Sequence, residues 1–431
     1  MTDFEWTTHP AAESLVDRLL DEAVSRSAEL RAWAAAVEGG TATRLVDWLD
    51  HLVSPVDAAE LKAAGFGAAE GVWRHDGAQL PGLVASDDGV VVVAVRVDDA
   101  DAFAAVNGAA PAEGAPLSAY RRATLELDGG VLLRGVERRS WSAGMEPSAG
   151  AAADAVEFLT AWLTRRRSVE ISDGFTALNA LAASGVAALG GDIAASLAMQ
   201  AERQYWEARN RAARWQRARQ DAYGLGWGNH DHHTFRCGRE WFAPLLDVLH
   251  TLGFQDREKF HAGDAGWGAQ VLEQPGAGLV VFADVDLEPN ELDIDALSAR
   301  DELGTVGLWC ALHGESALQA GMHHLEGTFD FDALSADLDG AGFGLLPPFS
   351  NFPHLRQAFT AAELWPVAAD HLAALVAAGQ LTAERAAEIS VTGAPGSHLE
   401  NLARRGGFKG FNQHAVSDII TRTDARTYTA P

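Results

Sequence analysis

Three stretches of this chain share one plan. Residues 49–66 read LDHLVSPVDAAELKAAGF, residues 230–254 read HDHHTFRCGREWFAPLLDVLHTLGF, and residues 322–343 read MHHLEGTFDFDALSADLDGAGF. Each opens on a short strand bearing a histidine (His51, His232, His324) that follows Asp or His. Each then runs into an amphipathic helix that closes on a Gly-Phe pair: Gly65-Phe66, Gly253-Phe254 and Gly342-Phe343. Glycine suits the left-handed residue that ends a helix. Short strands follow each helix, so the repeat reads as a βαβββ module. A chain built from such modules is α+β, with mixed sheets.

At 431 residues the chain exceeds what one core usually holds, which predicts two or three globular units. The division expected is residues 1–225, an N-terminal domain with a degenerate module and helices, and residues 226–431, a metal domain. Residues 10–38 carry apolar residues at helical spacing. GVVVVAVRVDD reads as a buried strand, and RATLELDGGVLLRGVERR as a hairpin around Gly129-Gly130. Alanine-rich helices occupy about 150 to 222, ending at the glycines of GLGWGN. Beyond them, TVGLWCALHG is expected as a strand, residues 363–389 as one or two helices, and GGFKGFNQHAVSDII as a closing strand.

A formal net charge of -27 repels nucleic acid and anionic membranes, so neither is an expected partner. The arginine-rich helix AERQYWEARNRAARWQRARQDAYG is read as packing on an acidic protein, with Trp206 and Trp215 as core or interface residues rather than base-stacking platforms. Cys237 and Cys310 form neither a disulfide framework nor a zinc ribbon. The acidic N-terminus lacks a signal-peptide pattern, and no apolar run spans a bilayer. A cytoplasmic location follows as the expectation.

The stretch NHDHHTFRCGRE puts three histidines and an arginine together. Strict alternation sends His230, His232, Thr234 and Arg236 to one face, and Asp231, His233 and Phe235 to the other. His232 and His324 then occupy equivalent first-strand positions of adjacent modules. Paired modules of this kind build the vicinal-oxygen-chelate fold, a curved mixed sheet wrapping a metal whose ligands come from the first and last strands.

The second half of the chain resembles the 2-oxoadipate dioxygenase/decarboxylase (hydroxyglutarate synthase) family of that superfamily. The resemblance runs over about residues 229 to 417, through HDHHTFR, LGFQDREKF, GWGAQVLEQPGAGLVVFADVDLEP, MHHLEGTFDFDALSADLDGAGF and GFKGFNQHAV. It implies a non-haem iron(II) held by two histidines and a glutamate, with dioxygen attacking a bound 2-oxo acid. His232 and His324 match the two histidine ligands, and Arg236 matches the arginine that binds the substrate carboxylate. The family's ligand glutamate falls on Gln413, flanked by Asn412 and His414, which departs from the pattern. The N-terminal half has no counterpart.

Gln413 therefore ranks first as third ligand, by position. Glu326, two residues from His324 on the same face, ranks second and is also a candidate general acid/base. His414 ranks third. His230 is read as a supporting or surface residue, and His233 and His323 as packing off the face. Lys409 is a candidate for a distal substrate carboxylate, and Glu273 for the pocket edge. The function expected is an iron(II)-dependent dioxygenase acting on a small 2-oxo acid or related carboxylate, by oxidative decarboxylation or hydroxylation. Its partners would be that carboxylate and dioxygen, and the helices of the N-terminal half would cover the sheet or form a homodimer surface. Two other readings stay open: an oxygen-independent divalent-metal lyase or isomerase, with Glu326 moving the proton, and a metal-free protein that binds a small ligand.

Overall fold

A computed structural model describes residues 6–430, apart from 168, 262–264, 289–290, 292–296 and 413–415. The chain is α+β, with two mixed sheets and helices packed on them. The first sheet holds β1 (Leu49–Ser54), β2 (Gly67–Ala69), β3 (Val72–Arg74), β4 (Gly82–Ala85), β5 (Val91–Arg96), β6 (Tyr120–Leu127) and β7 (Val131–Arg138). Their order is β2-β3-β4-β1-β5-β7-β6. The second sheet holds β8 (His230–Arg236), β9 (Gln255–His261), β10 (Trp267–Gln274), β11 (Leu279–Asp286), β12 (His324–Thr328), β13 (Ser350–Phe352), β14 (Leu355–Phe359), β15 (Glu363–Trp365) and β16 (Ala394–Arg404). Its path is β13-β14-β16-β12-β8-β11-β10-β9, with β15 against β16.

The second sheet is symmetric about its middle. β8 and β12 pair antiparallel at the centre. Each lies parallel to the last strand of its own module, β8 to β11 and β12 to β16. Two antiparallel strands complete each wing. This is the paired βαβββ topology of the vicinal-oxygen-chelate fold. The first sheet repeats it with one strand fewer: β1 to β4 form a full module around the helix Ala58–Ala63, and β5 to β7 a shortened one around the helix Ala100–Asn107. The repeat in the sequence marks only the first of these two. The shortened module begins with the valine run of β5, which carries no histidine.

Helices cover one face of each sheet. The amphipathic pair Pro10–Arg26 and Ala28–Thr41, the second capped by the Ser27 hydroxyl accepting from Leu30 N–H, buries Leu15, Val16, Leu19 and Leu30 against Leu52, Val93 and Leu133. Four helices between Ala152 and Asp221 pack through Ala194, Ala198 and Trp206 onto the face of the second sheet that presents Phe235, Val281, Leu325 and Leu399. The arginines of this region are tied down: Arg203 and Arg217 pair with Asp98, at 3.4 and 2.7 Å, and Arg209 stacks over Trp365. Trp206 is fully buried. No helix among the described residues is long and apolar enough to cross a membrane.

Two expected strands are absent. TVGLWCALHG forms the helix Thr305–His313, buried on nearly every side. A short apolar run looks alike as a buried strand or a buried helix, and packing decides. The closing strand is β16, which lies ahead of the segment expected at residues 406–420, and residues 416–423 are a helix.

Candidate metal centre

The opposite face of the second sheet carries a cluster of four buried side chains at its seam. His232 on β8, His324 and Glu326 on β12, and Glu400 on β16 each bring one ligand atom within 4.8 Å of the others. His324 Nε2 lies 3.5 Å from Glu326 Oε1 and 3.3 Å from Glu400 Oε2, and His232 Nε2 is in close contact with Glu326 Oε1. Metal–ligand bonds of about 2.1 Å set ligand atoms about 3 to 4.2 Å apart, so the four side chains suit one divalent ion with little movement. Glu326 Oε2 has no hydrogen-bond partner among the described residues. Such an orphan acceptor in a buried site is what a cation satisfies.

A β-bulge builds the support for His232. Across the seam Glu326 pairs with His232 and Gly327 with His230, which leaves Asp231 as the extra residue. Alternation alone would point Asp231 to the far face. The bulge instead turns it beside its neighbour, where Oδ2 accepts from His232 Nδ1 at 3.0 Å. That bond fixes the tautomer and leaves Nε2 free to ligate. Arg404, at the end of β16, grips Asp231 with Nε and Nη2, both at 2.9 Å, and anchors its own Nη1 on the Gly410 and Phe408 carbonyls. Burial would raise the Asp231 carboxyl, but Arg404 and His232 outweigh it and hold it well below the usual range. His232 is pulled down to about 4 by burial, against the pull of Asp231, so the imidazole is neutral at pH 7.

The two glutamates behave oppositely to Asp231. Burial pushes Glu400 up to about 8. Burial, and then the Glu400 charge, raise Glu326 well above the ordinary range. A divalent ion inverts this by stabilising both carboxylates. Gln357 Nε2 donates to Glu400 Oε1 at 2.9 Å and orients it, while His323 meets His324 through their Nδ1 atoms at 2.8 Å.

The cluster opens into a cavity of about 60 Å³ walled by Phe260, Trp267, Phe282, Phe349, Phe359 and Phe411. Arg236 lines the same cavity. It is 3% exposed, and its Nε and Nη1 have no hydrogen-bond partner among the described residues. Asp284 faces it across the β8–β11 pair, but burial pushes that carboxyl up to about 7 despite the guanidinium, so it neutralises Arg236 only in part. A buried cation left in this condition is costly and fits an incoming anion.

Other sequence candidates lie elsewhere. His230 sits below the bulge, donating from Nδ1 to Trp227 O at 2.7 Å, and lines a cleft between the two sheets rather than the metal cavity. Lys409 also lines that cleft, paired with Glu273 at 3.2 Å. His233 packs on the far face against Arg203 Nη1, at 3.1 Å. Gln413 and His414, candidates for the third ligand, lie outside the described residues. Sequence reasoning missed Glu400, because it assigned the last strand to a later segment. A signal was there. His398-Leu399-Glu400 repeats His324-Leu325-Glu326, and the two tripeptides pair residue for residue in adjacent parallel strands.

Neither protein-family models nor curated proteins contain a match to this sequence. Solved structures give distant likenesses. Methylmalonyl-CoA epimerase from Mycobacterium tuberculosis is 13% identical over 41% of this chain and 89% of its own, with a TM-score of 0.24. A mutant of 4-hydroxymandelate synthase from Streptomyces coelicolor is 11% identical over 88% of this chain and 98% of its own, with a TM-score of 0.28. A xylose isomerase-like TIM barrel/4-hydroxyphenylpyruvate dioxygenase fusion protein is 13% identical over 89% of this chain and 52% of its own, with a TM-score of 0.25. Likenesses this distant carry no functional inference; the side-chain geometry does.

Proposed function

We propose that this protein is a non-haem iron(II)-dependent dioxygenase that acts on a small carboxylate of the 2-oxo acid class. One observation carries the reading: His232, His324 and Glu400 converge on one point, with the unpaired Arg236 in the same cavity. Two imidazoles and one carboxylate are the donor set of non-haem iron(II) oxygenases, which leaves positions open for substrate and dioxygen. A bound iron(II) would bind and activate dioxygen, the electrons for its reduction coming overall from oxidation of the 2-oxo acid. The chain's residues do the rest. Arg236 grips the substrate carboxylate through its fork. The aromatic wall keeps water from the reacting atoms. Asp231 and Gln357 hold His232 and Glu400 in orientation.

A specific feature supports a second reading. Glu326 is a fourth potential donor in the cluster, and a carboxylate in that position could move a proton in an oxygen-independent lyase or isomerase. The test is metal analysis of protein purified without oxygen, then dioxygen uptake with a panel of 2-oxo acids. About one iron per chain, lost in Glu400→Gln, with substrate-dependent oxygen consumption, is the expected result. Turnover in strict anaerobiosis would transfer the assignment to the lyase or isomerase. A chain that takes up no metal on reconstitution would end both readings.

A further inference from the structure

The cleft between the two sheets is larger than the metal cavity, about 310 Å³ against about 60 Å³, and the two share no lining residue among those described. Arg96, the last residue of β5, lines the cleft. Its side chain is 23% exposed, and its guanidinium makes no hydrogen bond among the described residues. One carboxylate lies near: Asp50 Oδ1 stands 3.8 Å from Arg96 Nη2, beyond hydrogen-bond reach. That carboxylate is already engaged. It accepts from Arg138 Nε and Nη2 at 3.0 and 2.9 Å, and its Oδ2 meets His51 Nδ1 at 2.7 Å. A largely desolvated cation in this condition is costly until an anion joins it.

A second donor stands beside it. The backbone N–H of Trp141, just past β7, donates to Gly276 O at 2.7 Å and holds the turn between β10 and β11 on the first sheet. The half-buried Trp141 indole lines the cleft, and its N–H has no partner among the described residues. Gly278, in the same turn, leaves the space between the two donors open. A Cβ on it would lie 3.4 Å from Trp141 Nε1 and 3.8 Å from Arg96 Nη2. Its φ of +67° also disfavours most side chains there. One point in the cleft is thus within reach of an unmet guanidinium and an unmet indole N–H. The acids of the cleft are engaged elsewhere: Asp47 pairs with Arg44, Asp231 with Arg404 and Glu273 with Lys409, while Glu13 and Asp17 lie toward Arg44 and Arg405. Asp76 is exposed beside His75.

We propose that this cleft is a second ligand site, which binds a small organic monocarboxylate with its head between the Arg96 guanidinium and the Trp141 indole N–H and its carbon chain along Pro81 and Val280. A guanidinium matches the two oxygens of a carboxylate, and the indole adds a neutral donor. One unmet cation at that depth suits a single negative charge, where phosphate would bring nearly two. The site does not depend on the reading given for the metal centre. Asp231 and Arg404 line the same cleft, so an occupant would sit behind the pair that orients His232.

The indole N–H of Trp141 reports the site directly by nuclear magnetic resonance, with the full chain isotopically labelled in its tryptophans. Propionate should shift that signal, assigned through Trp141→Phe, along a saturating one-site curve. The shift should persist in Arg236→Gln, which removes the free guanidinium of the metal cavity. Arg96→Gln should weaken binding at least about tenfold, a loss of about 1.4 kcal/mol. Asparagine tolerates the left-handed backbone, so Gly278→Asn puts a side chain on the contact point and should abolish the shift. Unmoved signals from Trp33 and Trp206, one packed with each sheet, show that each variant is folded. Propionamide, which lacks the charge, should bind at least about tenfold more weakly than propionate. No response of Trp141 to propionate, equal affinity in Arg96→Gln, a retained shift in Gly278→Asn, equal binding of propionamide, or tighter binding of inorganic phosphate would overturn the proposal.

Discussion

Asp231→Asn separates metal binding from folding. The substitution keeps the shape of the side chain and removes its charge. The asparagine oxygen can still accept from His232 Nδ1, but its amide group then opposes the N–H groups of Arg404, which met two carboxylate oxygens at 2.9 Å. Removing one partner of a buried ion pair costs about 3 to 5 kcal/mol. Arg404 keeps its bonds to the Gly410 and Phe408 carbonyls, which puts the expected loss near the lower end, about 3 kcal/mol. A carboxylate behind a ligating histidine typically contributes tenfold to a hundredfold in metal affinity, about 1.4 to 2.7 kcal/mol. Urea unfolding reads the first quantity, and competition against a fluorescent chelator reads the second. Adding Arg404→Met removes the stranded cation and should restore most of the stability while leaving the metal affinity low. A single variant that binds metal within about threefold of the wild type would refute the support assigned to Asp231. So would a double variant that regains full affinity.

Arg236→Gln should leave metal occupancy unchanged and lower kcat/KM for a carboxylate substrate by about tenfold to a hundredfold, the worth of a charge-assisted hydrogen bond, read by steady-state kinetics on metal-loaded protein. Gly228→Ala should destabilise the fold by about 1 to 3 kcal/mol in chemical denaturation, because an added Cβ would collide with the Arg96 carbonyl at the entry to β8. Burial depresses His230 and His313 to about 3 and His398 to about 4, below the ordinary 6.5. The unfolded chain takes up these protons below pH 6.5 while the folded chain does not, so stability is full above pH 6.5 and falls as pH drops from there toward 4. Each histidine should steepen that fall by up to about 1.4 kcal/mol per pH unit, measured as urea midpoints at pH 7.5 and 5.5.

Much of the fold could be read from spacing alone. The histidine strand, the amphipathic helix and the Gly-Phe ending recur because each module must bury one helix on one sheet. The sequence also puts His232, His324, Glu326 and Arg236 on strands, and the structure brings all four into one cavity. What could not be read depended on contacts between distant segments. The bulge at Asp231 exists only because β8 and β12 pair with one residue out of step, and alternation along β8 alone sends Asp231 to the wrong side. Thr305–His313 is a helix because its surroundings bury it all round, which its apolar composition leaves undecided. Helix-like alanines precede β16, and Pro395 and Gly396 stand at its start, so its pattern does not read as a strand and Glu400 does not stand out as a ligand. The first strand of the module of β5 to β7 carries no histidine, and so lacks the mark by which the other three announce themselves.

The seam has a consequence for how the chain holds together. His232 and Glu400 are 168 residues apart in sequence (400 − 232), on strands that meet only through β12 between them. An ion bound there would be a cross-link as well as a cofactor, closing a loop whose entropy is otherwise lost anew each time the chain folds. The two wings of the sheet would be riveted at their common edge. Withdrawing the ion would loosen that seam, so amide protons of β8, β12 and β16 should exchange sooner than they do with the ion bound.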